Sequence, residues 1–255
     1  MSETIVAVDR ALDILLLLYK NGQEMGISEI GRELDLHKST VHRTMATLES
    51  KGFVYQNREN GRYWLGIKLY GIGLLIGERL SLTDVIKPYA KKLFDEFQEV
   101  VNVSILDKGS VDGYKTIIIL KEVDTSKVLS VNPNIGSISD SHASSVGKCL
   151  IAFSKDIDMD KVKKMHFKKH TENTIDNWQD FQRELDKVKE TGYATDNEEQ
   201  EIGLYCIGSP IFDKNGHAIA AISMSGPTAR MKREDLSEKI RRVKEIASEI
   251  SLAIK

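Results

Sequence analysis

A chain of 255 residues, 41% hydrophobic and 29% charged, has the length for one to two domains and the composition of a globular protein with a buried core. Its formal net charge of −2 excludes a protein that is basic throughout, so any affinity for nucleic acid has to come from a local face. Two cysteines, Cys149 and Cys206, exclude a disulfide framework; with no basic leader and no apolar run of membrane-spanning length, a cytoplasmic protein without a membrane partner is expected.

Residues 6–21 read as a helix striped by Val8, Leu12, Leu15, Leu16 and Tyr19 and ended by Asn21-Gly22. A short helix over 28–35 follows, with Ser28 as its expected N-cap. A tight turn at Leu36-His37-Lys38 leads into a third helix, 38–50, with Val41, Met45 and Leu48 facing inward and Ser39, Thr40, His42, Arg43 and Thr47 facing out. Lys51-Gly52 stops it. Two apolar-aromatic runs, Phe53-Val54-Tyr55 and Arg62-Tyr63-Trp64-Leu65, flank an Asn60-Gly61 turn and predict a β-hairpin. Three helices and a hairpin are the layout of a winged helix-turn-helix.

Charge assigns this module its candidate role. From His37 to Arg62 the cations are Lys38, Arg43, Lys51, Arg58 and Arg62, against Glu49 and Glu59 alone, whereas the preceding residues lean acidic. Cations on the third helix and the wing would neutralise the phosphates of double-stranded DNA. Ser39, Thr40, His42, Arg43 and Thr47 have the lengths and hydrogen-bonding groups to reach base edges, and Lys38, Arg58 and Arg62 complete the expected DNA-binding set. The competing reading is a small helical bundle with a solvated basic face, or a winged domain that binds protein.

Four segments of the first half, Val8-Asp9-Arg10-Ala11-Leu12-Asp13-Ile14-Leu15, Ser39-Thr40-Val41-His42-Arg43, Lys51-Gly52-Phe53 and Tyr63-Trp64-Leu65-Gly66, resemble the IclR family of bacterial regulators. In the second half so do His142-Ala143-Ser144 with Gly147-Lys148, Gly192-Tyr193-Ala194-Thr195-Asp196 with Glu198-Glu199, the spacing of Gly203, Cys206 and Pro210, and Ile222-Ser223-Met224-Ser225-Gly226-Pro227. The ordered set covers nearly the whole chain. The resemblance implies an α+β protein with a winged helix-turn-helix (1–66), a linker helix (67–80) and a GAF-like α/β effector-binding domain with an antiparallel sheet (81–255). It also implies homodimers, in part of the family paired into tetramers, that act on pseudo-palindromic operators under the control of small organic, sugar or aromatic acids. Repressors and activators both occur in the family, and repression is the expectation here.

Residues 67–77 carry three glycines, which propensity alone sets against a helix; the resemblance makes them the linker helix, its small residues allowing close approach of a second helix or the neighbouring domain. Residues 81–100 read as an amphipathic helix, followed by strands at 101–106, 114–123 and 128–131. Helices are expected at 144–154, 158–165 and 176–190, strands at 193–195, 204–212 and 218–225, and a last helix at 232–254.

Carried over residue by residue, the family's effector pocket falls on Ser145, Val146, Gly147, Asp196, Cys206, Ser223 and Ser225. The N–H groups at Ser145 and Val146 open a helix and can meet an anion, with Gly147 keeping the approach clear. Ser223 and Ser225, two apart on a strand, share a face. Asp140-Ser141 and Val146 depart from the family's usual apolar and small residues at those places, so ligand size and polarity do not carry over. No cofactor or catalytic residue is expected. The alternative is a metal- or thiol-dependent enzyme or sensor using His142, Asp196 and Cys206.

Overall fold

The computed structural model describes residues 5–80, 82–110, 113–126, 133–233 and 235–254. The chain divides into two compact units, Met1–Leu80 and Ser81–Lys255. In the first, α1 (Val6–Asn21), α2 (Ile27–Glu33) and α3 (Lys38–Ser50) precede an antiparallel hairpin of β1 (Val54–Gln56) and β2 (Tyr63–Leu65), and α4 (Ile67–Leu80) follows. At the end of α1, Gly22 takes φ 68° and donates its N–H to the Leu18 carbonyl, a left-handed cap that suits glycine.

Three local expectations are corrected here. Ser28 is not the cap of α2: the helix starts at Ile27, Gly26 is its extended N-cap, and Gly26 donates its N–H to Glu29 Oε2 at 2.9 Å. The turn into α3 begins earlier than Leu36, with Asp35 at φ 50°. On α1 the buried residues are Ile14 and Leu18, which join Ile30, Val41, Met45 and Tyr63, whereas Val8, Leu12 and Leu16 stay 52%, 53% and 60% exposed. Apolar residues cover more than half of this helix's circumference, with Asp9, Arg10, Asp13 and Lys20 on the rest, so periodicity fits two apolar faces and cannot choose between them. On α4, Ile67, Tyr70, Leu74 and Leu75 are likewise exposed, and a Cβ at Gly71 or Gly73 would meet nothing within 4 Å among the described residues.

The second unit runs α5 (Leu82–Phe97), β3 (Val100–Asp107), β4 (Lys115–Glu122), β5 (Ile138–Asp140), a 3-10 turn (Ser141–Ala143), α6 (Ser145–Phe153), α7 (Met159–Lys164) and α8 (Trp178–Thr191). Then come β6 (Ala194–Asn197), β7 (Leu204–Phe212), β8 (Ala218–Pro227), α9 (Thr228–Met231) and α10 (Leu236–Ile254). The six strands form one antiparallel sheet in the order β5-β4-β3-β8-β7-β6. The expected helix 81–100 stops at Phe97, because Gln98 turns to φ 54° and β3 begins at Val100. The expected helix 232–254 starts instead at Leu236, after the short α9. The strand expected over 128–131 lies outside the described residues, and no local pattern in the sequence marks β5.

Strand alternation sorts the sheet's two faces. Val101, Val103, Ile207, Ile222 and Met224 pack with Ile86 and Leu93 of α5 and Ile246 and Ile250 of α10. Each such side chain contributes roughly 1.5–3 kcal/mol of burial. The residues between them face the opposite way, where α6 packs through Val146, Cys149 and Leu150 against Ala194 and Ala221. That second face is also where polar side chains gather. Among the described residues no helix is long and apolar enough to cross a membrane.

Candidate functional site

On α3, Lys38, Ser39, His42, Arg43 and Thr47 are exposed and Thr40 is half-buried, so the face expected to meet DNA is presented as one surface, with Val41, Met45 and Leu48 beneath it. Thr47 donates its hydroxyl to the Arg43 carbonyl at 3.0 Å, leaving its oxygen as an acceptor. Arg58 is exposed in the loop of the hairpin. Arg62 is different. Its guanidinium donates to the Glu24 carbonyl at 3.0 and 2.8 Å and to Glu29 Oε2 at 2.7 Å, so it braces the wing against the α1–α2 segment. Three of its five donors are spent internally, which leaves two N–H groups on a side chain that stays 40% exposed. The Glu24 carboxylate accepts from Asn57 at 3.1 Å and Asn60 at 2.8 Å, completing the brace. Those side-chain bonds, Asn60 first, hold Glu24 below the usual carboxylate range.

In the second unit a cavity of about 990 Å³ opens over the polar face of the sheet. Register sets its floor: Asp196 lies opposite Cys206, Cys206 opposite Ser225, and Ser223 opposite Asn102. Directly opposed residues project from the same face, so these side chains stand together. Ser145 and Val146, at the start of α6, also line the cavity. Six of the seven expected effector residues, Ser145, Val146, Asp196, Cys206, Ser223 and Ser225, are thus brought to one cavity.

Gly147 is not among its walls. Its N–H is taken by Ser144 Oγ at 3.1 Å, and a Cβ there would lie 2.4 Å from the Ser141 carbonyl oxygen. The glycine packs the start of α6 onto the 3-10 turn; it does not clear a path for ligand. The glycine that does bring α6 to the sheet is Gly208 of β7, where a Cβ would sit 2.9 Å from the Ser145 carbonyl carbon and 3.0 Å from the Val146 nitrogen. The sequence reading missed it, and also missed Asn102, Ser104, Thr116, Ser139, Gln200 and Thr228, which line the cavity too. Among the described residues, Asn102 Oδ1, Gln200 Oε1 and Thr228 Oγ1 are buried without a hydrogen-bond partner, leaving acceptors for a ligand's donors.

A charged network stands behind Asp196. Lys148 of α6, fully buried, donates to Glu199 Oε1 at 2.5 Å, the Thr195 carbonyl at 2.9 Å and Glu184 Oε1 at 3.5 Å. Asp196 Oδ1 accepts from the N–H groups of Glu199 at 2.8 Å and Gln200 at 3.3 Å. Burial pushes the Asp196 carboxyl up to about 7, against those two hydrogen bonds and with help from the Glu199 charge. Burial likewise raises Glu199, which Lys148 opposes. The Cys206 thiol is driven well above its ordinary value by burial and then by Asp196. A thiol so placed is a neutral packing group, not a nucleophile.

His142 stands apart from Cys206 and Asp196. Its ring pairs with the Lys168 carbonyl at 3.0 Å and packs edge-on against Phe167 and Phe181, and burial lowers its pKa. Among the described residues no three His, Cys, Asp or Glu side chains are arranged to hold a metal ion. The alternative built on His142, Asp196 and Cys206 therefore loses its geometry. Asp140, where the chain departs from the family's pattern, is engaged by Lys115 and by His170 at 2.8 Å, and Ser141 donates its hydroxyl to the Tyr114 carbonyl at 2.5 Å.

Comparison with known proteins agrees with both halves. Residues 7–58 match the profile described as the IclR helix-turn-helix domain, and residues 76–252 match that of the bacterial transcriptional regulator IclR C-terminal domain. The chain is 32% identical to the HTH-type transcriptional repressor AllR of Klebsiella pneumoniae, over 97% of this chain and 89% of that one. It resembles the crystal structure of the Thermotoga maritima IclR with TM-score 0.71 and 30% identity, covering 98% of this chain and 99% of the other. An IclR homologue from Microbacterium hydrocarbonoxydans, crystallised with 4-hydroxybenzoate, shares the fold at TM-score 0.79 and 20% identity, over 97% of this chain and 98% of that one. The chain belongs to the IclR family of bacterial transcriptional regulators, with a DNA-binding helix-turn-helix domain and a C-terminal effector-binding domain.

Proposed function

We propose that this regulator is a cytoplasmic repressor, without enzymatic activity, whose affinity for a pseudo-palindromic operator is set by a small organic or sugar acid bound in the second unit. The observation that carries the reading is the cavity at the start of α6. There Ser145 and Val146, the first residues of α6, line one volume with Ser223 and Ser225, and it is of a size that suits a small molecule. Exposed Lys38, Ser39, His42, Arg43 and Thr47, half-buried Thr40 and exposed Arg58 support the assignment of α3 and the hairpin loop to the duplex. The relative named a repressor supports the sign of regulation.

A homodimer is the assembly this reading needs, since one helix reads only one half-site. The unsatisfied apolar faces of α1 (Val8, Leu12, Leu16) and α4 (Ile67, Tyr70, Leu74, Leu75) support a second copy as their cover. On this reading 1–66 reads DNA, 67–80 links, and 81–255 senses.

A thermal-shift screen of small carboxylates and sugar acids on the wild type and Ser225→Ala tests the reading. An acid at 100 times its dissociation constant adds about 2.7 kcal/mol, seen as a rise of several degrees that the variant loses. A rise of the same size in the variant, or none with any acid, contradicts it.

A further inference from the structure

We propose that an anionic effector enters the cavity together with one proton, which Asp196 carries and donates to an oxygen of the ligand. The proposal rests on reading the cavity as the effector site, and gives Asp196 a role beyond contact. Among the described residues that line the cavity none is Lys, Arg or His, whereas Asp196 and Glu201 are both acids. A ligand carboxylate held by the Ser145 and Val146 N–H groups and the two serine hydroxyls would share this space with Asp196, and no cationic wall would separate them. Two carboxylates confined together do not both stay ionised; one takes a proton.

The groups around Asp196 decide which one. From α6, Lys148 is the near cation, and its ammonium is already committed to Glu199, Glu184 and the Thr195 carbonyl. From the turn after β6, Glu199 adds a negative charge, and its Oε2 is buried with no partner among the described residues. From β7, Cys206 offers a neutral thiol between Asp196 and Ser225, and from α8 Glu184 adds a further carboxylate beside Lys148. Asp196 itself is 2% exposed, and its Oδ1 is occupied by two backbone N–H groups. Burial and Glu199 already bring its carboxyl up to about 7, so it is the group poised to take the proton. A ligand carboxylate tightens that hold, and by linkage the proton tightens the ligand. The step is a protonation: one proton from solvent forms an O–H bond on the Asp196 carboxylate, and no bond of the ligand is made or broken.

Isothermal titration of the full chain with pyruvate, lactate, glycerate and gluconate, from pH 6 to 8.5 in buffers of different ionisation enthalpy, tests this. Expected is an affinity that falls about tenfold per pH unit above about 7, with uptake approaching one proton per site at pH 8. Asp196→Asn keeps a donor that does not titrate, so its affinity is flat with pH and its binding takes up no proton. Glu199→Gln removes the neighbouring charge, and the fall begins at lower pH. Binding with no proton uptake, or a slope that persists in Asp196→Asn and stays in place in Glu199→Gln, overturns the proposal while leaving the effector site intact. Failure of all four acids to bind at pH 6 overturns the small-acid reading of the cavity, and this inference with it.

Discussion

Lys148 Nζ stands 2.5 Å from Glu199 Oε1 inside the sensor unit, with side chains only 1% and 8% exposed. The pair joins the middle of α6 to the turn that presents Asp196, so the helix start and the acid of the cavity are held as one piece. Removing one partner leaves the other charge buried. Lys148→Ala is expected to cost about 3–5 kcal/mol in urea unfolding, and Lys148→Met with Glu199→Leu recovers most of it. Equal stability of the single variant and the wild type would show that the pair is not closed in solution.

Gly208 sets how near α6 comes to the sheet. In Gly208→Ala the new methyl meets Ser145 and Val146 backbone, which cannot swing aside as a side chain can. The expected cost is about 1–3 kcal/mol, and the thermal response to any acid effector shrinks as the helix start is displaced. A variant with unchanged unfolding midpoint and unchanged ligand response removes Gly208 from the account.

The three arginines expected at the duplex separate by experiment. Arg43→Ala is expected to leave the melting temperature unchanged and to weaken operator binding by about 1–3 kcal/mol. Arg62→Ala loses charge-assisted bonds to Glu24 and Glu29, so its main effect is a loss of stability of about 1–2 kcal/mol. Arg58→Ala leaves the fold intact and lowers the slope of log affinity against log salt by about 1. Denaturation and anisotropy titrations on the same three variants check all of this; a stable Arg62→Ala with a reduced salt slope assigns it to a phosphate contact.

Asp196 makes stability depend on pH in a defined direction. Its folded pKa of about 7 lies above the 3.8 of the free carboxyl, so between these values the folded chain holds a proton the unfolded chain has released. The contribution is complete below about 4, declines as pH rises to about 7, and is flat above. Asp196→Asn should therefore be more stable than the wild type at pH 8, by up to about 4 kcal/mol, with the difference closing toward pH 4. Measuring the difference between the two proteins cancels the other titrating groups. A gap that is constant with pH rules out the raised carboxyl.

What the sequence allowed to be read was whatever local pattern dictates. Left-handed glycine ends α1 and α8 where a breaker follows an apolar stripe, at Gly22 and Gly192, and the phase of Ser223 and Ser225 follows from strand alternation alone. What escaped depends on partners distant in the chain. Arg62 reads as a free cation until Glu24 and Glu29, more than thirty residues earlier, fold against it. Asn102, Ser104, Thr116 and Ser139 come from three strands, and only the register, with its irregularity at Val103/Ser104, brings them beside Ser223. The three residues of β5 carry too little alternation to stand out. Val8, Leu12 and Leu16 form an apolar stripe that stays exposed; apolar spacing cannot tell a core face from one that awaits a partner.

Occupancy of the cavity is expected to control affinity for the operator. This is tested most directly by the affinity of the full chain for an operator selected from random duplexes, with and without an acid that raises its melting temperature. A change of about 5- to 150-fold is expected on saturating the cavity, absent in Ser225→Ala. Equal operator affinity for the free and the acid-bound protein would contradict it.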